Sequence, residues 1–559
     1  MITQRFSRVR RDDRGVDRNW LLWLTIAALA LYTLNLDGTA LRDWDEATVA
    51  QVAREIANAP IESLTWLFPT LQGEPYWNKP PLLHWAIALC FRLFGEGEWT
   101  ARLPGALCGA LTAPALYVVV RELWPRRLEA MLASTIFLTW LPVVRHGRLA
   151  MLDAAIGLFF VVAIGFTLRS RRDLRYSLGL GVAIGLMCLT KGLLGICLGG
   201  LLMVFLVWDT PRLLRQPWFW YGIGTGSIPA WSWYAMQFQR YGSEFASKHL
   251  GEQAVDRLVT SVESNGGSPE YYVFELLKYG WPWLLFAVPG MIWAWQNRKF
   301  SWGKLLIVCG LGYGLIISAM QTKLPWYVLP LYPVLAIAAG IRLGDLWQSG
   351  HITGMPIAVD RRYPHIWALG LGGLATGMVS LLGYELLAFA EGRPLLLTWH
   401  VQVTVACLAM TFGLAAWRVA RRDLQFILVL VWGTYISLLS FVTSNQWNWE
   451  LNENYPVRPA AEFVRQAIPP DRPLLVLDAY PRPSLAYYAE RPIAVVAPDD
   501  REQLYEKWQV QPELCVLAPV ERAVTLRELV RDSDISGTFV RSQDWIAVCR
   551  ASLSDGAPE

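Results

Sequence analysis

Short charged clusters interrupt an otherwise apolar chain, and their residue types suit group transfer and anion binding. Asp45 and Glu46 stand in LRDWDEATVAQVAREI, and Lys79 stands in PYWNKPPLLHW. A carboxylate can deprotonate or orient an attacking group, and a fixed ammonium can bind a phosphate. Asp45 is the stronger candidate base and Glu46 the weaker one. The helical character of EATVAQVAREI also suits Asp45 as a helix N-cap. Pro80 and Pro81 stiffen the backbone beside Lys79, whose neighbours Tyr76 and Trp77 are interfacial types. A lysine there can equally snorkel to lipid headgroups.

Asp153, in RHGRLAMLDAAIGLFF, stands where an apolar run begins. An acid at that depth faces a cavity or a partner, and Arg145 and Arg148 are the nearby candidates for an ion pair. Lys191, in LTKGLLG, interrupts another apolar run and invites the same reading. The segment FASKHLGEQAVDRL supplies Lys248, His249 and Arg257, and an arginine here can clamp a phosphate with two parallel hydrogen bonds. QTKLPWYVLP adds Lys323 and Tyr327. His84, His146 and His249 have no zinc-site spacing, so no metal-ligand set is assigned.

Composition dictates what must hold these residues. With 54% hydrophobic and 17% charged residues the chain is far from a soluble domain, in which about a quarter of residues are charged. A net charge of +4 gives nucleic-acid binding no electrostatic support. Apolar runs of membrane-crossing length begin at about residue 19, after a basic tail (1–18), and continue to about 445. The stretch 176–208 is too long for one crossing, and Gly192 and Gly195 predict a hairpin of two short helices. Leu82–Phe94 is read as an interfacial helix. With that reading RELWPRR, RSRRDLR and the later basic loops all fall on one side, as the positive-inside rule requires. About 13 crossings follow, with the N-terminus cytoplasmic and the C-terminus outside. Two large outward loops, 37–101 and 237–279, then carry most of the charged candidates. The first would let Asp45 and Lys79 serve one site.

From 446 to 559 the composition turns polar. Helix-like segments (AAEFVRQAI, SLAYYAE, REQLYEKWQ, VTLRELV) alternate with strand-like ones (PLLVLD, PIAVVA, ELCVLA, WIAVCR), predicting a small α/β domain. It has no phosphate loop and no nucleophile elbow. Cys515 and Cys549 would pair if this domain is extracytoplasmic, or remain two buried thiols. The whole pattern fits an anionic lipid-linked donor held by Lys and Arg beside carboxylates. A transporter of an anionic substrate fits the charges too, but transporters place their sites near the midplane between repeats, and no repeat is present.

In order, WDEATVAQVARE, YWNKPPLLHW, RLPGALCGALTAPALYVVVRELW, RLAMLD, LTKG and TKLPWYVLP resemble the landmarks of the ArnT-like glycosyltransferases, related to the protein O-mannosyltransferases. The resemblance covers about residues 20–340 and extends to the α/β tail. It implies a polytopic α-helical GT-C membrane protein of the bacterial inner membrane; a monomer is expected apart from the resemblance. It also implies a sugar taken from a polyprenyl monophosphate on the outer face and passed, with inversion, to a lipid or glycan acceptor. A protein acceptor is the alternative. By the same resemblance Asp45 is the main catalytic carboxylate and Asp153 a second essential acid. Lys79 and Arg257 contact the donor phosphate with Tyr327 close by. From the residues themselves, apart from the resemblance, Lys323 is added to the phosphate ligands, and Tyr76, Lys191 and His249 to the substrate contacts. Asn78 and Gln253 stand where the family has metal-associated Glu and His, so a divalent metal loses two ligand types and no cofactor is assigned. Thr48 replaces an arginine of the family, so the sugar and acceptor are left unassigned.

Overall fold

Backbone amides in a hydrocarbon setting find partners only within their own segment, so long apolar runs fold as helices. The computed structural model describes all residues except 1–10, 250, 252–259, 261–264, 353–364, 449–455, 534 and 551–559; side chains of 11–14 and 349–352 are likewise outside the description. The chain forms two units. The first comprises Met1–Gly38, Trp66–Pro69 and Tyr76–Trp449; the second comprises Thr39–Thr65, Thr70–Pro75 and Glu450–Glu559. The first outward loop of the sequence reading is thus shared between them.

In the first unit, six helices among the described residues are long and apolar enough to cross a membrane. A seventh is added if Arg127–Leu138 and Leu141–Gly147, bent by 63°, count as one. The 13-residue helix Leu82–Phe94 rises only about 20 Å, short of a hydrocarbon core of about 30 Å. The run Tyr176–Asp209 breaks at Lys191 (φ −140°, ψ 54°) and Gly192 (φ 23°, ψ −103°). Beyond the break the chain doubles back, because a Cβ on Gly195 would lie 2.6 Å from the Cys188 amide nitrogen. The expected hairpin is therefore present. Its first arm packs on Pro217–Phe245 through glycines spaced four apart. A Cβ on Gly181 would meet the Ile223 carbonyl at 2.3 Å, and one on Gly226 the Leu178 carbonyl at 2.3 Å. Such small-residue seams let helix backbones touch.

Two buried arginines secure the end of the first helix, Arg11–Thr33. Arg148 donates to the carbonyls of Leu31 and Leu34 at 2.6 Å, and Arg102 to that of Leu36 at 2.6 Å. Both guanidiniums lie over the Trp447 ring, at 4.4 and 5.2 Å. Carbonyls past the last helical turn lack intrahelical partners, and these side chains supply them.

The second unit contains a small hairpin, β1 (Thr70–Leu71) with β2 (Glu74–Pro75), and a five-stranded sheet. The sheet comprises β3 (Leu474–Leu477), β4 (Ile493–Val496), β5 (Cys515–Pro519), β6 (Gly537–Arg541) and β7 (Trp545–Arg550), in the order β4-β3-β5-β7-β6. β3 runs parallel to β4 and β5, while β7 is antiparallel to β5 and β6. Alternate residues serve opposite faces. Leu474, Val476, Cys515 and Leu517 face the helices Val457–Ala467 and Pro483–Ala489. Leu475, Leu477, Val516 and Ala518 face Arg501–Val510 and Ala523–Ser533. Four strands fall on the four segments expected; β6, a largely exposed edge strand, had no alternating apolar pattern to betray it. Cys515 and Cys549 stand directly opposite on β5 and β7 and form a disulfide.

Candidate active site

In the second unit, Asp43–Ala47 winds as a single π-helical turn, closed by a 2.8 Å bond from the Ala47 amide to the Arg42 carbonyl. It runs directly into the helix Thr48–Asn58, whose apolar stripe Val49, Val52, Ala53 and Ile56 is buried. The acids of this turn have different environments. Glu46 is fully buried and accepts from the Arg42 amide at 3.1 Å. Asp43 is 2% exposed and accepts from the Ser484 amide and the Arg482 guanidinium, each at 3.0 Å, and from the Ser484 hydroxyl. Asp45, between them, is partly exposed. Neither this turn nor the helix after it has a side-chain N-cap bond. The N-cap alternative for Asp45 therefore falls away.

In the first unit, the hairpin break gathers a second group. The Lys191 ammonium donates to both oxygens of Asp153, at 2.7 and 2.8 Å, at the first residue of the helix Asp153–Ser170. Of the two arginines that the sequence offers as ion-pair candidates, Arg148 is occupied by the carbonyls after the first helix. At Gly192 the positive φ already favours glycine, and a Cβ would lie 2.9 Å from the Tyr234 hydroxyl and 3.3 Å from His249 Nε2. His249 Nδ1 donates to the Trp77 carbonyl at 2.6 Å, while Nε2 faces the Tyr234 hydroxyl at 3.3 Å. A carbonyl only accepts, so the proton belongs on Nδ1. Burial holds this imidazole below its usual range; the Trp77 carbonyl opposes that shift and the nearby Lys79 ammonium adds to it.

His84 lies in the same neighbourhood, fully buried, with Nδ1 bonded to the Pro80 carbonyl at 3.2 Å and Tyr76 edge-on at 5.5 Å. Burial pushes it down to about 4, against the Pro80 carbonyl and with the help of Lys79. Asp153 and Lys191 thus pair at the Lys191–Gly192 break, His249 lies against Gly192, and Lys79 is close enough to act electrostatically on His249.

The remaining candidates are less concentrated. Lys323 is buried and its ammonium donates to the carbonyls of Ile317 (3.2 Å) and Ser318 (2.7 Å), ending the helix Tyr313–Ala319. Binding a phosphate would require it to leave them. Tyr327 lies in a 3-10 turn, its carbonyl accepting from the Tyr313 hydroxyl at 2.9 Å. Arg257 and Gln253 lie outside the described residues. Asp43, Arg482 and Tyr234 were missed in the sequence; the only hint was a further acid in DWDE, and nothing in PRPS or WYAM pointed to them. A divalent metal fits poorly. Asn78 offers no carboxylate, and both nitrogens of His249 already face polar partners. No group of three or more His, Cys, Asp or Glu among the described residues could hold a metal.

The chain thus combines a unit of long apolar helices with a small α/β unit. ArnT from Cupriavidus metallidurans bound to undecaprenyl phosphate superposes with a TM-score of 0.74 at 20% identity, covering 97% of this chain and 99% of that one. The archaeal oligosaccharyltransferase AglB from Archaeoglobus fulgidus shares the fold more loosely, with a TM-score of 0.54 at 12% identity over 98% of this chain and 75% of that one. In sequence, the family of dolichyl-phosphate-mannose-protein mannosyltransferases matches residues 78–234. An undecaprenyl phosphate-alpha-4-amino-4-deoxy-L-arabinose arabinosyl transferase of Pseudomonas fluorescens is 27% identical over 60% of this chain and 61% of its own length. The namesake from Aeromonas hydrophila is 26% identical over 66% of each chain. The chain spans about three fifths of the length of the curated relatives it matches. By fold and by sequence, the chain is similar to the ArnT-like glycosyltransferases.

Proposed function

We propose that this chain is an inverting glycosyltransferase that moves a sugar from a polyprenyl monophosphate to a lipid or glycan acceptor. The observation that carries the reading is the Lys191–Gly192 break, where Asp153, Lys191, His249 and the Lys79 segment converge. The relatives' printed substrate, an undecaprenyl phosphate sugar, supplies the donor class.

In the reaction an acceptor hydroxyl oxygen attacks the anomeric carbon as the bond from that carbon to the phosphate oxygen breaks. The electron pair leaves on the polyprenyl phosphate, whose charge Lys79 and Arg257 hold, with Tyr327 close by. Asp45 takes the hydroxyl proton. Asp153 keeps Lys191 oriented, and Tyr76 and His249 line the substrate. Direct displacement inverts the anomeric carbon and needs no covalent enzyme intermediate.

The same reading gives 13 crossings in the inner membrane, with the hairpin supplying two. The N-terminus is cytoplasmic, and residues 446–559 form a soluble domain on the outer face. The Cys515–Cys549 bridge supports that placement, since disulfides persist in oxidising compartments. A protein acceptor is the second reading, favoured by the mannosyltransferase family match over 78–234. Comparing a deletion strain with its parent separates the two. Loss of one sugar from an envelope lipid or glycan supports the first, and loss of protein-linked sugar supports the second. Unchanged lipids, glycans and proteins under expressing conditions would overturn both.

A further inference from the structure

One short stretch of the C-terminal sequence bonds to the acidic turn at several points. Asp43 accepts from the Arg482 guanidinium, the Ser484 amide and the Ser484 hydroxyl. Arg482 is itself steadied by Asp478 at 2.9 Å. On one flank the Leu41 amide donates to the Tyr488 hydroxyl at 2.9 Å. On the other, Arg54 donates to the Tyr487 carbonyl at 2.7 Å and lies 3.7 Å above the Tyr487 ring. Residues 482–488 therefore grip the segment before, within and after the turn. Glu46 adds an internal tie to the Arg42 amide, so Asp45 projects from a backbone fixed at both ends. A buried carboxylate with three donors has little freedom to shift without stranding a polar group.

We propose that Arg482 and Ser484 are positioning residues, which act through Asp43 to set the direction in which Asp45 projects. The C-terminal α/β domain then serves catalysis without touching the substrate. This rests on the reading of Asp45 as the base. A displacement of about 1 Å at a reacting group costs on the order of 100-fold in rate, so a slackened turn shows first in kcat.

The test uses the full-length protein in native membranes, following label passed from the cells' own polyprenyl-phosphate sugars to membrane acceptors. Binding of undecaprenyl phosphate to the purified protein is measured alongside. Arg482→Ala and Ser484→Ala are compared with Asp45→Asn and with the conservative Arg482→Lys and Ser484→Thr. The expected result is a 10- to 100-fold fall in kcat for both alanine variants, with donor KM and undecaprenyl phosphate affinity within twofold of the parent. The conservative variants recover most of the rate.

If Asp45→Asn keeps full activity, the catalytic reading itself is wrong and the proposal falls with it. If Asp45→Asn is inactive while both alanine variants keep the parent kcat per folded molecule, the proposal alone is overturned. A rise in donor KM at unchanged kcat also overturns it. Should Arg482→Ala fail to fold, Ser484→Ala decides, because it removes one donor and leaves the Ser484 amide and Arg482 in place.

Discussion

Asp153 and Lys191 form a bidentate pair whose side chains are only 4% and 12% exposed. Removing one partner of such a pair strands the other and costs about 3–5 kcal/mol, whereas replacing both by apolar groups is often close to neutral. Lys191→Met alone is therefore expected to lower thermal stability in detergent clearly. The double variant Asp153→Leu/Lys191→Met should regain most of it without regaining sugar transfer. Recovery of transfer in the double variant would make the pair purely structural.

His84 belongs to the same scale. Its folded value of about 4 lies below its usual 6.5. The unfolded chain thus binds the proton more readily, and this contribution is complete above about pH 6.5. It is lost as pH falls toward 4, by up to about 3 kcal/mol; His249 shifts in the same direction. Melting followed from pH 7 to 4 should show this decline, and His84→Asn, which keeps a donor for the Pro80 carbonyl, should flatten it.

Among the elements, the hairpin at 176–209 decides where Lys191 goes. Overpacking a close helix seam costs about 1–3 kcal/mol. Gly226→Ala, whose Cβ would meet the Leu178 carbonyl, should destabilise the protein, while Gly224→Ala, with nothing within 4 Å, should not. Thermal melts of the two variants compare them directly. The break itself was legible, because Gly192 and Gly195 punctuate a run too long for one crossing. The partner of Asp153 was not. Arg145 and Arg148 were neighbours in sequence, whereas Lys191 comes close only once two helices have packed. The local partners of Lys323 were hidden too: its ammonium donates to nearby helix-end carbonyls.

Across the whole molecule, apolar run lengths and basic loops made the helical membrane unit readable, and alternating short segments made the α/β unit readable. The division of residues 37–101 between the two units was hidden, because it depends on Asp43, Arg54 and Leu41 meeting residues more than 400 positions later. The disulfide stood open in the sequence, since spacing alone does not place two strands side by side. The 34-residue separation of its cysteines predicts a stabilisation of about 3–4 kcal/mol. Cys515→Ser/Cys549→Ser should lower the melting point of the protein by a corresponding margin, and unchanged melting would mean the thiols are reduced in the cell.

In the proposed reaction Asp45 deprotonates the acceptor hydroxyl as the sugar leaves the polyprenyl phosphate. The most direct measurement is the rate of labelled sugar transfer from polyprenyl phosphate to membrane acceptors by Asp45→Asn in native membranes, at matched amounts of folded protein. General-base removal predicts a loss of at least about 100-fold, with undecaprenyl phosphate binding intact. Transfer at the parent rate would exclude Asp45 as the base.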